Sequence, residues 1–247
     1  MKDLAALRTP DVPMARGLYE SLYLTATSPE GDRALWLRHT WLKAPGEPAE
    51  ALLWVTWWGP SLQQARGPGT AELTARSSRG ALEHHHWDLS WTGDHDAVAY
   101  LPKALYDRRF PRSNGALLVP HGTVAGSFDE VDLTGWSAVV GHNWGAEHAH
   151  AWEWLHGRDG NDWFDQLRVQ PGKRLPWLTL ATTHFDGRTT TSRTPLAAQV
   201  TWGSTVEWDY ASPSGPPRAV RNSSVATAVL DGRAFRTIVE RGVSTRS

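Results

Sequence analysis

The chain of 247 residues contains no cysteine. A disulfide framework, a thiolate nucleophile and a Cys-ligated zinc are therefore excluded, and cysteine gives no reading of redox compartment. Charge of either sign is not in excess: 25 Lys and Arg against 26 Asp and Glu leave a net charge of −1 at pH 7. That balance offers no electrostatic basis for binding nucleic acid or an anionic membrane, and neither is an expected partner. No run approaches the roughly 20 apolar residues of a membrane-spanning helix. The opening MKDLAALRTPDVPMARG lacks the apolar core of a secretion signal. The expectation is a soluble, cytoplasmic protein with no integral membrane segment. The signatures G-x-S-x-G, G-x-x-x-x-G-K-[ST] and G-x-G-x-x-G are also absent. Phe and Tyr are sparse at five each, whereas Trp reaches 15. Trp is large and carries a donor, so this surplus points to an aromatic-lined cavity or to heavy use of Trp in the core.

The length suits one large all-β domain or two smaller ones. Residues 1–17 read as a lead-in arm with a short helical turn at Lys2–Arg8. Strand patterns follow at Leu18–Thr27, Arg33–Lys43 and Ala49–Trp58, the last an apolar run expected to be buried on both sides. Ser61–Gly69 reads as a looser link. In LEHHHWDLSW the odd positions give His85, Trp87, Leu89 and Trp91 and the even ones His84, His86, Asp88 and Ser90. Adjacent His on a strand face opposite ways, so the triple His is a poor metal site and is read as a solvated edge. Gly93–Gly115, with Pro102, Pro111, Arg108, Arg109 and Arg112, is polar and loop-like. It is the expected link between two domains, 1–117 and 118–247, or a loop over a cavity mouth. Beyond it, strand patterns at Trp163–Val169, Trp177–Phe185, Ala197–Tyr210 and Ala219–Leu230 alternate with PGK, DGR, SPSGPP and DGR turns. In Ala197–Tyr210 the even positions Val200, Trp202, Val206, Trp208 and Tyr210 read as one apolar face. Many strands with regular turns predict an antiparallel sandwich or barrel.

The stretch GHNWGAEHAHAWEWLHG, Gly141 to Gly157, organises this reading. As an extended strand it places His148, His150, Trp152, Trp154 and His156 on one face and Ala149, Ala151, Glu153 and Leu155 on the other. A row of imidazoles and indoles joins apolar bodies to polar handles, as a ligand-pocket wall requires. The alternative is ordinary core packing of Trp152 and Trp154. Asn143-Trp144-Gly145 reads first as a tight turn.

The segments YESLYLTATSPEGDRALWLRHTW and GWSAVVGHNWGAEHAHAWEWLHG, in this order and with N-W-G followed by W-x-W, resemble the carotenoid 1,2-hydratase, tocopherol cyclase and AttH-like group. That group also includes Svf1-like proteins and lipocalin-like Diels–Alderases. The resemblance covers roughly residues 19–230. It implies two tandem lipocalin-like (calycin-type) antiparallel β-barrels or half-barrels, with a hydrophobic small-molecule ligand. It also implies hydration, cyclisation or a pericyclic step on a polyene, isoprenoid or polyketide, or carriage of such a ligand without chemistry. The chain is shorter than typical members, and its AEHAHAWEWLH is more His-rich than the tocopherol cyclase counterpart.

Protonation of an alkene needs an acid in a dry pocket and ring faces to stabilise the cation. The candidate catalytic residues are accordingly Glu153, His148 and His150, and the candidate ligand-binding residues are Trp144, Trp152, Trp154, His142, His156 and Asn143. Glu147 is a further proton donor nearby. Glu153 faces away from the His and Trp row, and its competing reading is a surface ion pair. A metal enzyme built on His148-x-His150-x-x-Glu153 is a weaker alternative, because the Glu is displaced from the face of the two His. No cofactor and no metal are expected.

Overall fold

The computed structural model describes residues 17–93, 96–101, 113–213 and 216–244. The expected lead-in arm with its Lys2–Arg8 turn, and Pro102, Arg108, Arg109, Pro111 and Arg112 of the expected link, lie outside the described residues. The described chain is all-β and antiparallel, and among the described residues no helix is long and apolar enough to cross a membrane. It divides into two compact units, Met1–Ala146 and Glu147–Ser247.

Unit 1 holds β1 (Leu18–Thr27), β2 (Ala34–Lys43), β3 (Glu50–Trp58), β4 (Leu62–Gly67), β5 (Thr70–Leu73), β6 (Ser77–Leu82), β7 (His85–Gly93), β8 (Val98–Ala99), β9 (Ser113–Phe128), β10 (Val131–Asp132) and β11 (Ser137–Gly145). They form one sheet in the order β4-β3-β2-β1-β11-β9-β7-β6-β5, with β8 and β10 paired to β9. The sheet curls into a half-barrel around a core in which Leu22, Leu24, Leu37 and Val55 meet Leu82, Leu89 and Val140. Trp57 stacks between Phe128 and Trp136, with ring centroids 5.3 and 5.9 Å away. For these Trp the core reading is the right one.

Unit 2 holds β12 (Ala151–Asp159), β13 (Asp162–Gln170), β14 (Leu178–Phe185), β15 (Arg188–Ser192), β16 (Gln199–Thr201), β17 (Val206–Tyr210), β18 (Arg218–Leu230) and β19 (Arg233–Ser244). The sheet order is β15-β14-β13-β12-β19-β18-β16, and β17 also pairs with β18. Two of its hairpins turn on Asp-Gly. Asp186 and Gly187 have φ of 51° and 74°, and Asp231 and Gly232 have 51° and 79°. Both central residues with positive φ make the turn that matches strand twist, which is why Asp-Gly works there. Phe164, Ala228, Leu230 and Phe235 form its apolar core.

The structure revises several sequence expectations. Ser61–Gly69 is no link, since β4 pairs with Leu53 to Trp58 of β3. The triple His is solvated only at His84 and His86 and is not at an edge: β7 lies between β6 and β9, and its alternate residues His85, Trp87, Leu89 and Trp91 are buried. His85 survives burial because its Nδ1 meets Asp129 Oδ2 at 3.0 Å. The expected boundary between residues 117 and 118 falls inside β9, whose pairing with β7 and β11 keeps both residues in unit 1. Ala197–Tyr210 is two strands rather than one, broken at Trp202–Thr205. Its supposed single apolar face is split, because β18 carries an extra residue between its β17-paired and β16-paired halves: Ser223 pairs with Val239 but Ala226 with Thr237. Finally, β19 is a full strand that the turn-by-turn reading stopped short of.

Candidate functional site

Strand β12 presents two different faces. On the even face Trp152, Trp154 and His156 alternate as the period of two demands. The neighbouring strands bring acids to that face: β13 sets Asp165 opposite His156, and β19 sets Glu240 opposite Trp154. Both indoles donate to them, Trp152 Nε1 to Glu240 Oε1 at 2.8 Å and Trp154 Nε1 to Asp165 Oδ1 at 2.7 Å. The N–H bonds fix the rings, so the ring faces are held in place rather than free to turn. Glu240 also accepts from Asn222 Nδ2 at 3.2 Å and Tyr210 Oη at 3.3 Å.

The centre of this face is the pair His156 and Asp165, at 2% and 1% exposure. His156 Nδ1 lies 3.5 Å from Asp165 Oδ1, yet neither ring nitrogen of His156 makes a hydrogen bond. The ring instead stacks on Trp163 at 6.1 Å, and Trp163 stacks on His184 at 5.8 Å. A buried imidazole beside a buried carboxyl, with its hydrogen-bonding capacity unspent, is the feature of this unit that folding alone explains least.

His148 and His150 are not on the strand. β12 begins at Ala151, and the segment before it is held by a side chain: Arg218 Nε and Nη2 donate to the carbonyls of Ala149 and His148 at 2.6 and 2.9 Å. Main-chain carbonyls engaged by a guanidinium do not join a ladder, so the expected five-residue row is three residues long. His148 still reaches the cluster, its ring 5.9 Å from both Trp152 and Tyr210. His150 contributes its carbonyl to Ser244 N at 2.9 Å and is half-buried.

Glu153 faces the other way, as its parity requires. Arg168 Nη1 donates to it at 2.6 Å and Arg241 Nε lies at 3.4 Å. It borders a cavity of about 240 Å³ with Leu155, Leu196, Val200 and Trp202 on its walls. No group of three or more His, Asp or Glu among the described residues is placed to hold a metal ion. His148, His150 and Glu153 do not form such a group, and the Glu153 carboxylate is engaged by the two arginines.

The remaining candidates belong to unit 1. His142 Nε2 lies 2.9 Å from Glu20 Oε1, and its ring stacks on Trp144 at 4.5 Å. Trp144 is fully buried. The N-W-G triplet is the end of β11, not a turn, and Asn143 pairs with Ser21 of β1. Sequence reasoning missed Asp165, Glu240 and Asn222. The signal for Asp165 was its even spacing from Trp163 in DWFDQLRVQ; Glu240 had no such signal, because it sat in an unread strand.

These two units define a lipocalin-like antiparallel β fold. No family model matches the chain, and no curated protein sequence matches it. Solved structures do. An AttH-like protein from Nitrosomonas europaea superposes with a TM-score of 0.60 at 13% identity, over 96% of this chain and 97% of that one. Kievitone hydratase from Nectria haematococca gives 0.57 at 11%, over 96% and 92%, and CghA with Sch210972 gives 0.58 at 11%, over 93% and 89%. They fall in the lipocalin-like group that the sequence motifs resemble. At such identities the likeness is one of fold.

Proposed function

We propose that the protein binds an apolar, unsaturated small molecule against the Trp152, Trp154 and His156 face and moves a proton to and from it. The observation that carries this reading is the buried Trp154–Asp165–His156 group, in which Trp154 fixes the Asp165 carboxylate 3.5 Å from a His156 ring whose nitrogens make no hydrogen bond. In a hydration or cyclisation the proton goes to an alkene carbon, the cation faces the indole rings, and water or an internal hydroxyl adds and returns a proton to the pair. Kievitone hydratase, which shares the fold, is named for a hydration, and this supports the catalytic reading. His156 and Asp165 take the proton role, Trp152, Trp154 and His148 the binding role, and Glu153 a structural one.

The cavity of about 240 Å³ beside Glu153, where Leu155, Leu196 and Trp202 stand with Gln166, Arg168 and Arg241, favours a second reading, carriage of a small ligand with an apolar body and a polar end, without chemistry. One experiment separates the two. Purified protein is screened by Trp fluorescence quenching against prenyl alcohols, retinoids and linear polyenes, and each binder is then followed for turnover. We expect micromolar binding and turnover that falls about 10²–10⁴-fold in Asp165→Asn. Binding without turnover leaves carriage, and absence of binding refutes both readings.

A further inference from the structure

The odd-numbered face of β12 borders the cavity of about 240 Å³ in unit 2. On that face Glu153 pairs with Arg168 of β13 and Arg241 of β19, and two residues further along Leu155 pairs with Gln166 and Val239. The period of two sets these rows side by side, one charged and one largely apolar. The segment running into β16 supplies the facing wall. Over residues 195–202 the even positions Leu196, Ala198, Val200 and Trp202 are half-buried and line the cavity, while Ala197, Gln199 and Thr201 are exposed. Leu196 is tied to β13, its N–H donating to Gln166 Oε1 at 2.6 Å. Leu155, Leu196, Ala198 and Val200 pack on the Phe164 and Phe235 core. The space therefore has a charged end and an apolar end.

The charged end holds more donors than acceptors. Arg168 Nη1 donates to Glu153 Oε2 at 2.6 Å, and Arg241 Nε lies 3.4 Å from Glu153 Oε1, so both carboxylate oxygens are engaged. Two guanidiniums against one carboxylate leave one positive charge in excess on the cavity wall. Among the described residues, Nη2 of Arg168 and both terminal nitrogens of Arg241 donate to nothing. Nor does the amide N–H pair of Gln166, a residue only 4% exposed whose carbonyl is already spent on Leu196. Unspent donors of a buried amide beside a cavity point to an acceptor inside it. The guanidiniums are held for that role, that of Arg168 over the Trp177 ring at 5.3 Å and that of Arg241 over the Trp202 ring at 5.5 Å.

We infer that the ligand of this cavity is a monocarboxylate with an apolar body, its carboxylate on the free N–H groups of Arg241, Arg168 and Gln166 and its body between Leu155, Leu196 and Val200. The inference rests on the carriage reading of the same cavity and names the ligand class. An ammonium head would meet the excess positive charge with no free carboxylate oxygen to accept from it. A neutral hydroxyl would leave the fork of Arg241 half used, whereas a carboxylate takes two parallel N–H bonds from one guanidinium. Size sets the body. An apolar cavity of about 150 Å³ holds one benzene ring, so this larger space suits one ring or a straight chain of roughly eight carbons with its carboxylate inside.

The test titrates the full chain with octanoate, 1-octanol and octylammonium, the same chain with three heads, by isothermal calorimetry. Wild type is expected to bind octanoate about tenfold more tightly than 1-octanol, and octylammonium more weakly than either. Arg241→Met should lose about tenfold for octanoate and leave 1-octanol within about twofold. The Arg241 side chain is 60% exposed, so the variant should melt close to wild type. Arg241→Lys keeps the charge without the fork and should fall between the two. Val200→Phe fills the cavity and should weaken octanoate and 1-octanol alike, and it decides the location if Arg241→Met does not fold. Equal affinity for octanoate and 1-octanol overturns the carboxylate and leaves carriage standing. Undiminished octanoate binding in Arg241→Met or Val200→Phe also overturns the inference, as does absence of octanoate binding, in which case carriage stands or falls on the polyene screen.

Discussion

Acid should weaken unit 1 through a single buried imidazole. His39 sits in the half-barrel with 6% exposure, and burial lowers its pKa from 6.5 to about 4. The hydrogen bonds agree with the direction: Trp87 Nε1 donates to Ser78 Oγ at 2.8 Å, which leaves the Ser78 hydroxyl proton for His39 Nε2 at 3.1 Å. An acceptor role at Nε2 belongs to the neutral ring. Acid therefore protonates this residue in the unfolded chain first. Stability is full above the unfolded pKa, falls as pH drops from 6.5 towards 4, and levels below that. From pH 7.5 to pH 5 the loss works out at about 2 kcal/mol, and at pH 4 about 3 kcal/mol. Urea unfolding at both pH values, in wild type and His39→Gln, isolates the contribution. The variant should lose about 2 kcal/mol less than wild type over that interval. Equal losses in the two proteins refute a neutral, buried His39.

Three further outcomes follow from the packing. Gly141→Ala puts a Cβ into the Tyr23 ring, and should cost about 1–3 kcal/mol by overpacking, read as a lower Tm. Glu153→Gln loses ion pairs to Arg168 and Arg241 that are partly solvated. It should cost less than about 1 kcal/mol in thermal unfolding and leave turnover close to wild type, in contrast to Asp165→Asn. Arg218→Met leaves the carbonyls of His148, Ala149 and Pro216 without their donor. A loss of about 3 kcal/mol or more is expected, with amide exchange rising across residues 146–150.

What the sequence made legible was local. The period of two in HHWDLSWTG and in Trp152-Trp154-His156 needs only neighbouring residues, and so do the Asp-Gly turns. The antiparallel all-β class follows from many such segments added together. What escaped depends on residues far apart in the chain. Arg218 reaches back about 70 positions to hold the main chain at His148 and Ala149, so a pattern that continues by parity through His148 and His150 stops as a strand at Ala151. Asp165 and Glu240 become site residues only through register with β12. The two-faced burial of β1, β2 and β3 was visible for β3 as an unbroken apolar run. It was hidden in β1 and β2, because the second face there is built from Ser, Thr, Tyr and Arg.

The extra residue in β18 gives that strand two reading frames. Before it, even-numbered positions such as Asn222 look toward Glu240; after it, even-numbered positions such as Ala228 and Leu230 belong to the Phe235 core. Ser224 and Val225 together oppose Ile238, and they act as a frameshift written in three dimensions. Deleting either one leaves a single frame in which both halves keep their faces, whereas the same residues paired without the extra one would turn one half of the strand inside out. The extra residue is thus what lets two even-numbered runs of one strand serve opposite faces of one sheet.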